Sequence, residues 1–473
     1  MAIDPDESVR DSNVVDVTYR VTEGKPSDVR FVAITGNRGT REKVLRRELE
    51  MHEGERFRRS SLVRTHDRLM RLGLFEEVTP DLASAESTDV DVILKVKEKQ
   101  VGTASAGAGY TAESGVTGFL ELGHNNVLGN GQSLSLHLER GAKRSDYFLS
   151  FTEPWFRDTP TLLGFSVYNT SVDRDLYRER RQGASGKIGR PLPWPAFSRG
   201  SVSYRLEDVI IDQIDTTAVA LAGGATKSIL SEFNSGVPVR TSATDLDFIR
   251  NSTDNAFYPS RGSRLTISSE LAGGLFGGQV NFHKHRLEGR WYFRGLLKGV
   301  TTMIRARAGI LDRYADQDQP VPIYERFRLG GGTTVDPLRG YDDYQVVPDK
   351  FDYLAPSAFR SDTTIVGPDT TITRIPTAFT RIRYPGGRYM SIYTVEQQFP
   401  IVHPLHGVLF FDAGNTWDEV REIRPADLKM GAGIGFRLEI PLLGNVGFDW
   451  GYGFNRDDGP RARGHFLIGN VNF

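Results

Sequence analysis

Residues 445–454 read Asn445-Val446-Gly447-Phe448-Asp449-Trp450-Gly451-Tyr452-Gly453-Phe454, with an apolar side chain at every second position. Because successive side chains of a strand point to opposite faces, this alternation predicts a β-strand with one aromatic face and one face of mostly glycine and aspartate. A soluble β-sandwich seldom has an outer face of glycine and an inner face so rich in aromatic residues. At a rise of about 3.3 Å per residue and a tilt near 45°, about ten residues cross the roughly 25 Å apolar band of an outer membrane. The stretch therefore predicts one strand of a transmembrane β-barrel.

Alternating runs of this kind recur from residue 103 to the end of the chain. Every second connection between them is short and rich in proline, glycine and asparagine, whereas the others are longer, the longest covering residues 312–387. Short turns at one end and long loops at the other are typical of membrane barrels. We count sixteen runs, at 103–110, 116–124, 131–140, 145–153, 161–170, 183–189, 199–209, 240–251, 262–272, 279–294, 300–311, 388–400, 405–413, 429–440, 444–455 and 463–473.

These runs predict the fold class of residues 100–473. We expect an all-β transmembrane barrel of 16 antiparallel strands, closed because an open sheet of this size would leave exposed edges. Because the number of strands is even, the first strand begins and the last strand ends on the short-turn side. No stretch approaches eighteen uninterrupted apolar residues, so no transmembrane helix is predicted. A mean hydropathy of -0.36 does not argue against a barrel, because barrel strands are polar at alternate positions.

Residues 25–99 have a different pattern, in which strand-like runs flank apolar residues at helical spacing. Gly73 directly follows the second helical run, as glycine commonly does at a helix C-terminus. The order predicts a small α+β domain of β-α-α-β-β topology. Its elements are expected at Val29–Ile34, Val44–Leu49, Ser60–Leu72, Glu77–Leu82 and Val90–Val96.

The first residues do not complete a domain. Residues 13–21 alternate like a strand and are followed by Glu23-Gly24. We expect residues 1–24 to be the remnant of a preceding domain. Residues 1–11 are acidic and lack the apolar core of a signal peptide. An outer-membrane location therefore requires that the chain is part of a longer protein.

Composition excludes several kinds of partner and site. The 473 residues carry a formal net charge of -1, so there is no electrostatic argument for a nucleic-acid partner. The chain has no cysteine, which excludes disulfides and thiolate metal sites. There is no nucleophile elbow, phosphate-binding loop or His-Glu-x-x-His sequence. We therefore predict a protein that is not an enzyme.

Two patterns could suggest a bound metal or nucleotide. His283 and His285 share one face of a predicted strand, as two metal ligands would, but the sequence offers no third ligand and ordinary strand histidines are commoner. The run Gly431–Gly435 is rich in glycine but lies inside a strand pattern, which argues against a nucleotide site. We predict neither a metal nor a cofactor.

The longest predicted loop contains Glu325-Arg326-Phe327-Arg328-Leu329-Gly330-Gly331-Gly332-Thr333-Thr334-Val335-Asp336-Pro337-Leu338-Arg339-Gly340-Tyr341. The three glycines allow backbone conformations with positive φ, and Asp336-Pro337 begins a turn. Arg339 carries five donors in a planar fork and is always charged. It is either an ordinary basic residue of a surface loop or a residue that the loop brings into the barrel interior.

Two carboxylates lie on the predicted strands that follow this loop. Glu396 shares with Thr394 and Gln398 the strand face that is expected to line the interior. Asp412 follows three apolar residues at 409–411, an unusual place for a charge. Asp412 either faces water inside the barrel or pairs with a cation.

Several short motifs, in this order along the chain, resemble the BamA family of outer-membrane β-barrel assembly factors. The resemblance covers nearly the whole chain and includes the family's membrane-proximal POTRA domain over residues 29–98. Its most specific part is the arginine-glycine-aromatic motif of the sixth extracellular loop. The motifs are Ile34-Thr35-Gly36-Asn37, Arg71-Leu72-Gly73-Leu74-Phe75, Glu153-Pro154-Trp155-Phe156, Arg339-Gly340-Tyr341, Phe411-Asp412-Ala413-Gly414 and the terminal Phe473.

The resemblance implies a site and a function. It implies that loop 312–387 folds inward and that Arg339, with Gly340 and Tyr341, anchors it by reaching Glu396 or Asp412. It implies insertion of unfolded outer-membrane proteins into the outer membrane, with the POTRA domain in the periplasm. The implied partners are those client proteins, outer-membrane lipid and periplasmic assembly lipoproteins. Family members carry several further POTRA domains that this sequence lacks.

The first and last barrel strands form the predicted weak point. Glycine and alanine contribute little side-chain packing to a strand, and the first run consists almost entirely of them. The last run must pair with it and has imperfect alternation. We expect a lateral seam that opens to let a nascent strand pair with a free edge. Its residues are Ala104, Ala106, Gly107, Gly109, Gly469 and Phe473.

Two other kinds of protein share parts of this pattern. A two-partner secretion pore has a related barrel, but those transporters carry an N-terminal helix that plugs the interior, and the sequence predicts no such helix. A passive porin lacks the β-α-α-β-β domain. The alternative function is therefore a two-partner-secretion type translocation pore.

Overall fold

The structure is a computed structural model. It describes residues 2–11, 14–22, 26–84, 89–111, 115–174, 177–214, 236–255, 259–295, 299–314, 320–332, 334–366, 369–402, 404–440 and 444–468. Its contacts divide the chain into two compact units, Met1–Thr103 with Gly123–Leu134, and Ala104–Leu122 with Ser135–Phe473.

The first unit begins with a two-stranded hairpin. Strand β1 (Ala2–Asp11) pairs antiparallel with β2 (Val14–Thr22). The sequence predicted only the second of these strands, because the many charges of residues 1–11 mask the alternation.

The α+β domain follows with the predicted β-α-α-β-β order, which is confirmed. Its sheet order is β3-β5-β4, with β3 parallel and β4 antiparallel to β5. Gly73 follows the last helix with a φ of 68°, the positive value expected of a C-terminal glycine. The elements are β3 (Val29–Thr35), α1 (Glu42–Arg46), α2 (Arg59–Arg71), β4 (Phe75–Ser84) and β5 (Val90–Glu98).

Apolar side chains from both helices and all three strands form the core of this domain. Leu45 of α1 and Leu69 of α2 are fully buried, as is Leu94 of the central strand β5. Burial of one such side chain contributes about 1.5–3 kcal/mol relative to exposure. The spacing that predicted the helices is therefore the spacing of this core.

The segment Gly123–Leu134 belongs to the same compact unit as the α+β domain. The amide of Asn126 donates to the Thr40 hydroxyl at 2.8 Å, and the Arg41 N–H donates to the Gly129 carbonyl at 2.9 Å. The Glu98 carboxylate accepts from the backbone N–H groups of residues 38, 39 and 40, the shortest contact being 2.6 Å. Partial burial opposes ionisation of Glu98, but these hydrogen bonds outweigh it and lower its pKa.

The second unit contains most of a 16-stranded antiparallel sheet, which confirms the predicted barrel class. Its hydrogen-bonded order is β23-β22-β21-β20-β19-β16-β15-β14-β13-β12-β11-β10-β9-β8-β7-β6. Among the described residues, no helix is long and apolar enough to cross a membrane. The strands are β6 (Gly102–Thr111), β7 (Gly115–Val127), β8 (Gln132–Gly141), β9 (Arg144–Glu153), β10 (Leu162–Asp173), β11 (Arg178–Pro191), β12 (Ser198–Asp212), β13 (Val239–Asn251), β14 (Gly262–Ala272), β15 (Phe282–Arg294), β16 (Thr301–Asp312), β19 (Tyr389–Val402), β20 (Leu405–Trp417), β21 (Lys429–Ile440), β22 (Gly444–Gly453) and β23 (Arg461–Ile468).

The two faces of β22 differ as the alternation predicted. Phe448, Trp450 and Tyr452 are exposed on the outer, lipid-facing side, whereas Asp449 is buried on the inner side. The aromatic face therefore points to the membrane and the glycine-aspartate face to the barrel interior.

The long connection between β16 and β19 contains a further hairpin, β17 (Asp352–Val366) paired antiparallel with β18 (Asp369–Arg383). This hairpin was not predicted from the sequence, where residues 312–387 were expected to form one long loop. The alternation in Thr371-Ile372-Thr373-Arg374 and the Gly367-Pro368 pair were the signals for this hairpin.

Candidate functional site

The part of the long loop before β17 folds back onto the inner faces of the strands. Phe327, Leu329 and Leu338 of the loop are buried in one apolar cluster with Leu311 of β16 and Ile392 of β19. This segment, residues 320–351 as far as it is described, is called the inner loop below. It is attached to the strand wall by apolar packing as well as by its charges.

The backbone of the inner loop is hydrogen-bonded to itself. Leu329 and Val346 exchange two N–H···O bonds, at 3.1 and 2.8 Å. Gly331 accepts a bond of 3.1 Å from the Leu338 N–H. The glycine run at 330–332 therefore lies within a compact turn that brings Arg339 to the barrel strands.

Arg339 and Asp412 form a bidentate pair inside the barrel. Nε of Arg339 donates to Asp412 Oδ2 at 2.7 Å, and Nη2 donates to Oδ1 at 2.9 Å. The backbone N–H of Arg339 also donates to Oδ2, at 3.1 Å. Two parallel charge-assisted bonds fix the orientation of the guanidinium as well as its position.

The same guanidinium reaches two more carboxylates. Nη1 donates to Glu396 Oε2 at 2.7 Å and lies 3.4 Å from Asp449 Oδ2. The sequence offered Glu396 and Asp412 as alternatives, and the structure brings Arg339 together with both. Asp449 was recognised as an interior residue but was not identified as a partner of Arg339.

The charges of this cluster interact strongly, because the cluster is buried and little water screens them. Asp412 and Asp449 are each 1% exposed, and Arg339 is 6% exposed. The Arg339 guanidinium carbon lies 3.6 Å from the centre of the Phe410 ring, so an aromatic face covers the cation. Arg437 neutralises part of the remaining negative charge through bonds of 2.5 and 2.9 Å to Asp449.

The two residues after Arg339 also contact the barrel strands. The N–H of Gly340 donates to Nε2 of His465 on β23 at 3.2 Å, and its carbonyl accepts from Arg456 at 2.7 Å. The Tyr341 hydroxyl lies 2.8 Å from the Asn455 side-chain oxygen and 3.0 Å from the Met430 carbonyl. The arginine-glycine-tyrosine motif therefore contacts the last three strands and their connecting loop.

Glycines on β21 and β22 create the space for this contact. A Cβ added to Gly431 would lie 2.1 Å from the Arg339 carbonyl oxygen, and one added to Gly451 would lie 2.6 Å from the Gly340 nitrogen. Gly340 has a φ of 93°, which side chains rarely adopt. The glycine face predicted from residues 445–454 is thus the surface on which the loop backbone lies.

A second buried ion cluster holds the start of the inner loop. One Glu325 carboxylate oxygen accepts from Arg181 of β11 at 3.1 Å, and the other accepts from Lys284 of β15 at 2.7 Å. Glu325 is 4% exposed. No role could be predicted for Glu325 from the sequence, because its partners lie far away in the chain.

A third contact lies between the other two. Asp336 accepts from Arg307 of β16 at 2.8 Å, and Arg286 of β15 lies 3.5 Å away. Arg307 also donates to the Val335 carbonyl. In these three clusters the inner loop contributes two carboxylates to basic surroundings and one arginine to acidic surroundings.

Four of the six predicted seam residues lie at one end of the strand order. Ala104, Ala106, Gly107 and Gly109 all belong to β6, and Ala104 and Ala106 are exposed. A Cβ added to Gly107 would lie 2.7 Å from the Phe119 ring, so an aromatic side chain of β7 lies beside this glycine. Gly469 and Phe473 lie outside the described residues.

Within the described ranges the strand order ends at β6 and at β23, with no pairing between the two. The rest of the last predicted run, residues 469–473, is outside those ranges. Gly464 of β23 lies beside the Phe448 ring of β22, 2.9 Å from an added Cβ. Gly107 and Gly464 are exposed, and each lies beside a phenylalanine ring of the neighbouring strand.

His283 and His285 do lie together, with 3.1 Å between Nδ1 of the first and Nε2 of the second. Ser269 lies 2.7 Å from the other nitrogen of His285. In the described part of the chain, no group of three His, Cys, Asp or Glu side chains could hold a metal ion. The histidine pair shares the outer face of β15 with the exposed Leu287 and Trp291.

Two family models match the chain. The Omp85 superfamily domain matches residues 126–471, and the POTRA model, described as a surface antigen variable number repeat, matches residues 28–99. These are the two regions that the structure forms as the 16-stranded sheet and the small α+β domain.

Among curated proteins, the outer membrane protein assembly factor BamA of Nitratidesulfovibrio vulgaris is 28% identical over 462 residues, covering 96% of this chain and 52% of that protein. BamA of Neisseria meningitidis is 25% identical, with coverage of 86% and 49%. Sorting and assembly machinery component 50 homolog B of Xenopus laevis is 26% identical, with coverage of 74% and 73%. The chain spans about half the length of the BamA relatives.

Solved structures show the same fold. BamA from Haemophilus ducreyi lacking POTRA domains 1–3 superposes with a TM-score of 0.67 at 20% identity, covering 99% of this chain and 88% of that one. CdiB from Acinetobacter baumannii gives a TM-score of 0.57 at 15% identity, with coverage of 94% and 74%.

The resemblance to BamA inferred from the short motifs is confirmed by these matches. The outer-membrane location, with the POTRA domain in the periplasm, is likewise confirmed. Since the superfamily domain accounts for well over half of its sequence, the chain belongs to the Omp85 superfamily.

Proposed function

We propose that this chain assembles β-barrel proteins and inserts them into the bacterial outer membrane. The observation that carries the proposal is the match to the superfamily and to relatives named outer membrane protein assembly factors. Its substrates are unfolded outer-membrane proteins, and its surroundings are outer-membrane lipid. Periplasmic assembly lipoproteins are its further proposed partners.

The proposed route is a lateral seam between β6 and the last strand. β6 contributes little cross-strand energy, because side-chain pairs give roughly 0.2–1 kcal/mol each relative to alanine pairs and β6 is mostly alanine and glycine. We expect the strands to separate between β6 and the last strand, since neither lies between two others in the hydrogen-bonded order. A nascent strand then pairs with the free edge by backbone hydrogen bonds. No step requires a catalytic residue.

The proposed role of the inner loop is to support the barrel wall from inside. Arg339, with Gly340 and Tyr341, anchors it to the Glu396 and Asp412 side of the barrel. We further propose the domain division 1–24, 25–99 and 100–473, with the first part a remnant of a preceding POTRA domain.

A disulfide across the seam tests the mechanism. The chain has no native cysteine, so one cysteine at Ala104 or Ala106 and one between Gly464 and Ile468 can form only the intended bridge. The matched control joins Leu438 and Val446, which are directly paired on β21 and β22.

The assay is insertion of a urea-unfolded eight-stranded barrel into liposomes that contain the bridged chain. We expect the seam bridge to stop insertion and reduction to restore it, whereas the control bridge leaves insertion unchanged. Full activity with the seam bridged would remove the lateral-seam mechanism and leave the superfamily assignment standing.

The same liposomes discriminate the alternative function. A two-partner-secretion type pore moves one exported protein across the membrane and does not insert barrels. Translocation of a soluble protein into the liposomes, without insertion of any barrel client, would favour that alternative. The likeness to CdiB is one of fold alone, at 15% identity.

A further inference from the structure

The outer face of strands β9–β12 changes from apolar to polar toward the extracellular end. Val167 of β10 pairs with Leu149 of β9, and both are exposed on the lipid-facing side. Two residues further along β10, Asn169 pairs with Tyr147 of β9 and with Gln182 of β11. Because alternate residues share a face, these polar side chains lie directly above the apolar band, at the level of the lipid headgroups.

Five cationic side chains surround a cavity of about 370 Å³ at this level. They come from the β8–β9 hairpin and from β11, and they are Arg140, Lys143, Arg144, Arg178 and Arg180. Strands β8 and β10 run from the short-turn side of the sheet, so the cavity lies near the extracellular rim. Its position on the outer surface makes it accessible to lipid rather than to a chain inside the barrel.

Three of the five cations already have carboxylate partners. Arg178 pairs with Asp173, Arg180 pairs with Asp212, and Arg144 pairs with Asp146. These pairs hold the wall of the cavity in place without adding net charge. They do not account for the remaining two cations.

Arg140 and Lys143 are the two cations that stand outside these three ion pairs. Within the described residues, neither has a carboxylate oxygen within 4 Å; Arg140 donates only to the Tyr147 hydroxyl, at 3.1 Å. Both side chains are exposed. The site therefore offers a guanidinium fork, an ammonium group and a phenolic hydroxyl, and more positive than negative side chains surround it.

We propose that this cavity binds the phosphate group of a lipid in the outer leaflet, with Arg140 and Lys143 as its ligands. A guanidinium matches two phosphate oxygens with parallel hydrogen bonds, and a nearby ammonium adds a compact charge. The apolar band below, with exposed Val167 and Phe165, receives the acyl chains. Phosphorylated glycolipids and phospholipids both carry this chemistry.

The test uses the full chain, folded in detergent and titrated with three lipids. The probes are bis-phosphorylated lipid A, phosphatidylglycerol and dephosphorylated lipid A, with bound lipid counted by native mass spectrometry. The test variant is Arg140→Gln with Lys143→Gln. The charge-matched control is Arg240→Gln with Arg421→Gln, which removes two cations that already pair with Asp208 and Glu419.

We expect at least one phosphorylated lipid to bind the wild type and the control equally, and the test variant about tenfold or more weakly, since both charged ligands are lost. Preference for lipid A assigns the site to the glycolipid, and preference for phosphatidylglycerol assigns it to phospholipid. Equal loss in both variants, or equal binding of dephosphorylated lipid A, would overturn the proposal. Heat-dependent gel mobility checks folding, and Lys143→Gln alone repeats the test if the double variant does not fold.

Discussion

The contribution of Arg339 to loop docking can be worked out from its contacts. Arg339→Ala removes both side-chain bonds to Asp412 and the bond to Glu396. Glu396 keeps its 2.9 Å bond from Gln398. Asp412, at 1% exposure, is left in the barrel wall without its guanidinium.

Removing one partner of a buried ion pair typically costs roughly 3–5 kcal/mol. If the loop undocks rather than leave Asp412 buried and unpaired, the ratio of docked to undocked loop falls by about two to four powers of ten. The apolar packing of Leu329 and Leu338 remains, so we expect more frequent opening and not complete loss of the docked state.

A single thiol measures this opening. Ile392 lies on β19 under the inner loop and is fully buried, and the chain has no other cysteine. In Ile392→Cys, a dilute thiol reagent can label the new cysteine only when the inner loop is undocked. The labelling rate therefore reports the fraction of molecules with an undocked loop. Adding Arg339→Ala should raise that rate by at least about a hundredfold.

The exposed pair of Arg421 and Glu419 provides the control, because exposed ion pairs contribute only about 0–1 kcal/mol. Arg421→Ala should leave the labelling of Cys-substituted Ile392 within about fivefold of its parent. A second check is Asp412→Ala, which removes the unpaired carboxylate; combined with Arg339→Ala it should label more slowly than Arg339→Ala alone. A rate unchanged by Arg339→Ala would refute the anchoring argument.

Three further changes test other contacts. Glu325→Gln should speed the same labelling about tenfold or more, because bonds to charged groups contribute roughly 1.5–3 kcal/mol each; an unchanged rate would mean that the second cluster does not hold the loop. Gly451→Ala should also speed labelling, since its Cβ would lie 2.6 Å from the Gly340 nitrogen, whereas Gly164→Ala meets only ordinary contacts and should not. The pKa of Glu98 is lowered in the folded state, so its stabilisation is present above its unfolded value of about 4.3 and is lost as pH falls through the folded value. Thermal unfolding followed by helical circular dichroism should therefore separate Glu98→Gln from the wild type near pH 7 and not near pH 3.

The periodic parts of this fold could be read from the sequence because each strand carries its own signal. Phe448, Trp450 and Tyr452 must all meet lipid, so the period of two survives without knowledge of any other strand. The small domain was readable for the same reason, since the apolar spacing of α2 is local.

Contacts between distant residues could not be read in this way. Glu325 and Arg181 are 144 residues apart, and nothing in either neighbourhood indicates the other. Asp449 is 110 residues from Arg339, and only the glycine face beside it hinted that another segment would lie there. Arg339 was a candidate because of its glycine-rich loop, but its pairing with Glu396 or Asp412 was predicted only through the family resemblance.

The inner loop is bound to one of the two strands that are proposed to separate. Asp342 pairs with Arg463 of β23 at 2.6 Å, and Gly340 bonds to His465 of the same strand. Moving β23 away from the barrel would break these contacts, whereas moving β6 would leave them intact. We therefore expect β6 to be the mobile side of the seam. Spin labels at Ala106 and at Leu409 of β20 should show a broad distance distribution, and labels at Phe466 and Leu409 a narrow one; the reverse result would place the motion in β23 and require the loop to undock first.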